Sequence, residues 1–115
     1  MTDLVACLST GKGTWGHVSR IRDDFERVYL ITNDYGKENF QKDEKTELIP
    51  LNFNLGIKEL RDEIENALKD KLKGDVAINI ISGTGKEHMA LISALLKLGV
   101  GIRLVALTKD GIEEI

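Results

Sequence analysis

Residues 75–107 read DVAINIISGTGKEHMALISALLKLGVGIRLVAL, and the order of its parts decides the fold. Asp75 to Ser82 is a short apolar run, the length and composition of a buried strand. The loop Ser82-Gly83-Thr84-Gly85-Lys86-Glu87-His88 interrupts it. Lys86 to Leu98 then carries apolar residues at helical spacing and stops at Gly99, a residue suited to a helix C-terminus. Ile102 to Leu107 is apolar again. A strand, a helix and a strand in this order form a right-handed crossover between parallel neighbours. Strands that are almost continuously apolar are expected where helices cover both faces of the sheet.

The same alternation extends back to the N-terminus. Leu4 to Ser9 is expected as the first strand, Thr14 to about Phe25 as a helix, and Val28 to Thr32 as the second strand. A short helix is expected within Tyr35 to Asp43. Glu47 to Leu51 is the third strand, and its Pro50 places it at an edge, because proline cannot donate to a ladder. Ile57, Leu60, Ile64, Leu68 and Leu72 form one apolar stripe, so a helix is expected from Ile57 to Leu72, before Gly74. The tail, Thr108 to Ile115, is short and acidic and is not read as a strand. The expected fold class is α/β: one Rossmann-like three-layer domain over residues 1–115, with a mostly parallel sheet of about five strands in the order 3-2-1-4-5.

Composition agrees with one domain. The chain has 115 residues, 42% hydrophobic and only 5% aromatic, so its core must be aliphatic. A formal net charge of −3 argues against duplex DNA as a partner, since such binders need a basic face. The single cysteine, Cys7, permits no internal disulfide and no zinc cluster. With no basic leader and no apolar run of roughly 18 residues, the expectation is a cytoplasmic protein with no membrane partner.

The helix from Lys86 to Leu98 has little polar face. A helix on a small sheet buries one side, so this one calls for a further partner. A homodimer through this helix is expected, the alternative being deep burial within one monomer.

Two loops carry the candidate chemistry. Ser9-Thr10-Gly11-Lys12-Gly13 follows the first strand, and Ser82-Gly83-Thr84-Gly85-Lys86 follows the fourth. Each opens a helix and each contains Thr-Gly-Lys. Glycine lets backbone N–H groups approach a ligand, and a helix N-terminus supplies further donors and a partial positive charge. Ser and Thr add hydroxyls and Lys adds a full charge, which together describe a phosphate site. In the order 3-2-1-4-5 both loops flank the crevice between neighbouring strands at their C-terminal ends. The alternative is that the glycines only make tight turns and the hydroxyls only cap helices. No further cofactor and no metal are expected. His17 and His88, the only histidines, lack acidic partners at a ligating spacing.

Gly11, Gly13 and Gly16 also spell G-x-G-x-x-G, and Asp34 ends the second strand where a ribose-binding acid belongs. This is the alternative reading, an NAD- or NADP-binding protein, but no second domain remains to hold a substrate. A third reading is a small interaction subunit without a ligand. A Walker A loop is excluded, because neither Lys12 nor Lys86 precedes Ser or Thr. Trp15 either stacks on a base or packs against the sheet edge or a partner.

Taken together, a first strand ending in Ser9-Thr10-Gly11 and a fourth running into Ser82-Gly83-Thr84-Gly85-Lys86 and the apolar Met89-Ala90-Leu91-Ile92 resemble the CARF (CRISPR-associated Rossmann fold) family. The resemblance spans Leu4 to Leu107. It implies a homodimer whose cleft takes a cyclic oligoadenylate, with Ser9, Thr10 and Gly11 on the cleft floor and Thr84, Gly85 and Lys86 at phosphates and 2′-hydroxyls. The chain departs from the family in lacking a fused effector and, on this reading, the sixth strand. A stand-alone sensor is implied, or a metal-independent ring nuclease in which His17 or His88 serves as acid or base.

Overall fold

A computed structural model of the chain describes residues 2–9 and 12–115, with Lys12 described by its backbone. The described residues form six strands and four α-helices, alternating up to β5: β1 (Asp3–Leu8), α1 (Trp15–Arg22), β2 (Val28–Thr32), α2 (Asp34–Asn39), β3 (Thr46–Pro50), α3 (Ile57–Leu68), β4 (Asp75–Asn79), α4 (Gly85–Leu98), β5 (Gly101–Thr108) and β6 (Gly111–Glu114). A 3₁₀ turn, Lys12–Thr14, leads into α1. The sheet order is β3-β2-β1-β4-β5-β6. The first four pairings are parallel and β5–β6 is antiparallel. This is the expected Rossmann-like three-layer arrangement, with β3 and its Pro50 at one edge.

Side chains alternate across the sheet, so each central strand feeds two cores. Val5 and Cys7 of β1, Ile31 of β2 and Ile78 of β4 meet Leu60, Ile64 and Leu68 of α3 and Leu91 and Leu95 of α4. On the other face Leu4, Ala6 and Leu8 of β1 and Leu30 of β2 meet Trp15, Val18 and Ile21 of α1 and Phe40 after α2. Helices α3 and α4 therefore share one face, while α1 and the α2 segment share the other. The sheet crosses over between β1 and β4, as the order requires.

The element ends differ from expectation for local reasons. β4 stops at Asn79 rather than Ser82, because the Asn79 side-chain oxygen accepts the Ile81 N–H at 3.2 Å and turns the chain. α1 ends at Arg22, after which the N–H groups of Asp24 and Phe25 bond three residues back in tighter turns. α3 ends at Leu68, though Leu72 still reaches the same core.

The expectation that the tail is not a strand is corrected. Gly111–Glu114 forms β6 and pairs antiparallel with β5, from Thr108↔Gly111 to Val105↔Glu114. Lys109 and Asp110 make the turn, and Gly111 at φ +110° takes a conformation that side chains disfavour. The Thr108 hydroxyl fastens the turn, donating to the Gly111 carbonyl at 3.0 Å and accepting from the Asp110 N–H at 3.1 Å. Arg103 then ties the strands on the surface, 3.1 Å from Asp75 and 3.3 Å from Glu114.

Helix α4 is neither polar on one side nor buried all round. It buries Ala90, Leu91, Ala94 and Leu95 against the sheet and α3. Met89 and Leu96 are each 65% exposed, an apolar ridge on its outer side.

Candidate functional site at the β1–β4 crevice

The two loops meet. β1 and β4 are hydrogen-bonded neighbours, and just past their ends the Ser9 N–H donates to the Ser82 hydroxyl oxygen at 3.0 Å. Ser9 and Ser82 are both buried. Of the expected site residues, Thr10 and Gly11 lie outside the described residues. Gly13 falls in the exposed 3₁₀ turn before α1. Thr84 is the N-cap of α4, and Gly85 and Lys86 are its first residues.

A residue within the second loop organises the pair. Glu87, only 5% exposed, accepts from the Ser9 hydroxyl at 2.9 Å and from the Thr84 N–H at 3.1 Å, and its other oxygen accepts from the Thr84 hydroxyl. Burial pushes the Glu87 carboxyl up. The hydrogen bonds from Thr84 and Ser9 outweigh burial and hold it below the ordinary glutamate value. A capping box, Thr84 with Glu87 three residues on, is thus extended across the crevice to the first loop. The Thr-x-x-Glu spacing was legible in the sequence. The long-range partner Ser9 was not.

Gly83 shows why the second loop needs glycine. Its φ is +106°, and a Cβ there would meet His88 Nε2 at 3.1 Å, Glu87 Oε1 at 3.2 Å and Ser9 Oγ at 3.3 Å. His88 closes the same turn, its Nε2 donating to the Ser82 carbonyl at 2.9 Å. The Lys86 ammonium donates to the Phe53 carbonyl at 2.9 Å, in the loop after β3. A neutral carbonyl leaves its charge uncompensated.

The first loop differs. A Cβ on Gly13 or on Gly16 would meet nothing within 4 Å. In a dinucleotide fingerprint the third glycine permits close helix–sheet packing, a role Gly16 does not play here. Trp15 is a packing residue: it is buried, its ring centroid lies 5.9 Å from both Tyr35 and Phe40, and its indole N–H donates to the Ser9 carbonyl at 3.2 Å.

His17 sits apart from Ser9 and Ser82. Its Nε2 accepts from the Leu107 N–H at 3.2 Å and lies 3.2 Å from the Asn79 amide, which also donates to the Val105 carbonyl. Burial pushes the His17 imidazole down. It pins α1 to β5, while His88 is the histidine at the crevice. Cys7 is buried within β1 on the α3 and α4 face, where burial pushes its thiol up to about 12, so it is inert at neutral pH. Among the described residues no His, Cys, Asp and Glu side chains gather in a metal-ligating group, and no helix is long and apolar enough to cross a membrane.

The fold and the crevice define an α/β protein of the open, doubly wound class, with its loops gathered where the strand order reverses. The chain matches no protein-family model and no curated protein sequence.

Proposed function

We propose that this chain is a CARF-like nucleotide-binding domain that takes a cyclic oligoadenylate at a cleft between two copies. The observation that carries the reading is the Ser9–Ser82 hydrogen bond, which joins the first residue of each expected loop at the reversal point of the sheet. Glu87 holds the hydroxyls of Ser9 and Thr84, so these residues order the loops. Phosphate recognition then falls to Lys86 and to the backbone donors at the start of α4. The second copy is argued from the α4 ridge, where Met89 and Leu96 are open to solvent along the outer side of the helix that the second loop opens.

Calorimetric titration with cyclic tri-, tetra- and hexa-adenylate tests the site. Lys86→Ala should weaken the preferred ring about tenfold or more, the usual scale of a charge-assisted contact. Equal affinity in the wild type and this variant contradicts the reading.

A further inference from the structure

A concavity lies on the same edge of the sheet as the two loops. A hollow of about 540 Å³ opens between the ends of β2 and β3, walled by Asp34, Tyr35, Pro50, Asn52, Phe53 and Asn54. Its volume lies in the range of small-molecule sites, roughly 300–1,000 Å³. It shares the C-terminal edge of the sheet with the two loops, because Thr32 and Pro50, the last residues of β2 and β3, are register partners.

Both loops reach its walls. Lys86 of the second loop bonds the Phe53 carbonyl at 2.9 Å. Ser9 of the first accepts the Trp15 indole N–H, and Trp15 packs on Tyr35 with ring centroids 5.9 Å apart. The far wall is ordered by its own bonds: the Asn52 side-chain oxygen accepts the Asn54 N–H at 2.9 Å, and the Leu51 N–H reaches the Thr32 carbonyl at 2.8 Å. Such a wall holds its shape before a ligand arrives.

The chemistry of the hollow differs from that of the loops. Asp34 is exposed, and no described residue donates to its carboxylate or pairs with it. A free carboxylate repels phosphate and accepts from hydroxyl groups. Tyr35 is 53% exposed and meets Trp15 in a tilted contact, with ring centroids 5.9 Å apart. A half-open aromatic ring is a platform for a flat, apolar face. An anion-attracting lysine beside a hydroxyl acceptor and a ring platform fits a ligand with phosphate, sugar and base in that order.

We infer that the hollow is the nucleoside subsite of the proposed phosphate site. Asp34 accepts from the ribose 2′-hydroxyl, and Tyr35 lies against the base, while the phosphate remains at Lys86. This rests on the phosphate reading and deepens it. It makes the protein selective for ribonucleotides over deoxyribonucleotides.

The test compares AMP with 2′-deoxyadenosine monophosphate by amide chemical-shift titration in the wild type, Asp34→Ala and Lys86→Ala. Asp34 and Lys86 lie in the first turns of α2 and α4, and the spectra themselves report folding. The wild type should prefer AMP about tenfold, the scale of one hydrogen bond to a charged group. Asp34→Ala should abolish that preference, and Lys86→Ala should weaken both ligands equally and keep it. Tyr35→Ala should weaken AMP and leave ribose 5-phosphate unchanged.

A preference that survives in Asp34→Ala overturns the subsite, and so does the absence of one in the wild type. If the preference depends on Asp34 while Lys86→Ala leaves AMP affinity intact, the subsite stands and the phosphate reading fails. No shift with AMP at millimolar concentration overturns the subsite and leaves the phosphate reading to the cyclic rings.

Discussion

Glu87 is the residue on which the crevice depends. Its carboxylate is buried yet held ionised by donors from both loops, so its protonation unties them. A carboxyl held below its unfolded value of 4.5 contributes stability that is fully present above that value and is lost as pH falls through the lower, folded value. Urea denaturation across acid pH should therefore show the wild type weakening below about pH 4.5, with Glu87→Gln lacking this part of the slope. At neutral pH that variant should be less stable by roughly 1–3 kcal/mol. An unchanged acid slope in the variant would contradict the assignment. His17 acts in a higher window. Its folded value lies below 6.5, so its contribution is present above pH 6.5 and fades as pH falls below it. His17→Gln should flatten the curve there. The glycines separate by the same reasoning. A Cβ at Gly36 would stand 1.8 Å from the Thr32 hydroxyl oxygen, so Gly36→Ala should cost about 1–3 kcal/mol by overpacking. Gly16→Ala meets open space within α1 and should stabilise by roughly 0.5–1 kcal/mol. Thermal melts of the two variants should shift in opposite directions.

At the scale of elements, what was legible followed periodicity. The stripe of Leu60, Ile64 and Leu68 is the buried face of α3, and the continuous runs VYLIT and LVACL are fully buried strands. Pattern failed where a side chain ended an element, as Asn79 does for β4. β6 was missed because Ile112 is followed by two acids and its strand buries little, although Asp110-Gly111 before it was a usable hairpin signal. The apolar excess of α4 had two sources that sequence cannot separate. One is α3, packed alongside in the same core. The other is the ridge of Met89 and Leu96, which no described residue covers. Leu96→Glu should leave melting nearly unchanged, since the site is exposed, and should convert a dimer to a monomer in light scattering. A wild type that is monomeric at high concentration would remove the ridge from the account.

At the scale of the whole molecule, the order of strands gives the loops their place. Parallel strands put their C-terminal ends on one edge, and the reversal between β1 and β4 puts helices α1 and α4 on opposite faces. Ser9 and Ser82, just past the ends of those strands, therefore meet. Sequence supplied the loops, with the strand order taken from the fold class and not from the residues. It could not supply Glu87 as the tie between them, or the hollow beyond Phe53, because both arise from residues far apart in the chain. The central claim is that the joined loops hold nucleotide phosphate. Its most direct test is a thermal-shift panel of cyclic tri-, tetra- and hexa-adenylate, NAD, NADP, AMP and ATP, run on the wild type and on Lys86→Ala. A ligand bound only by the folded state raises the midpoint. The account predicts the largest rise with one cyclic oligoadenylate, and its loss in Lys86→Ala. No rise with any of these ligands, or an equal rise in both proteins, would contradict it.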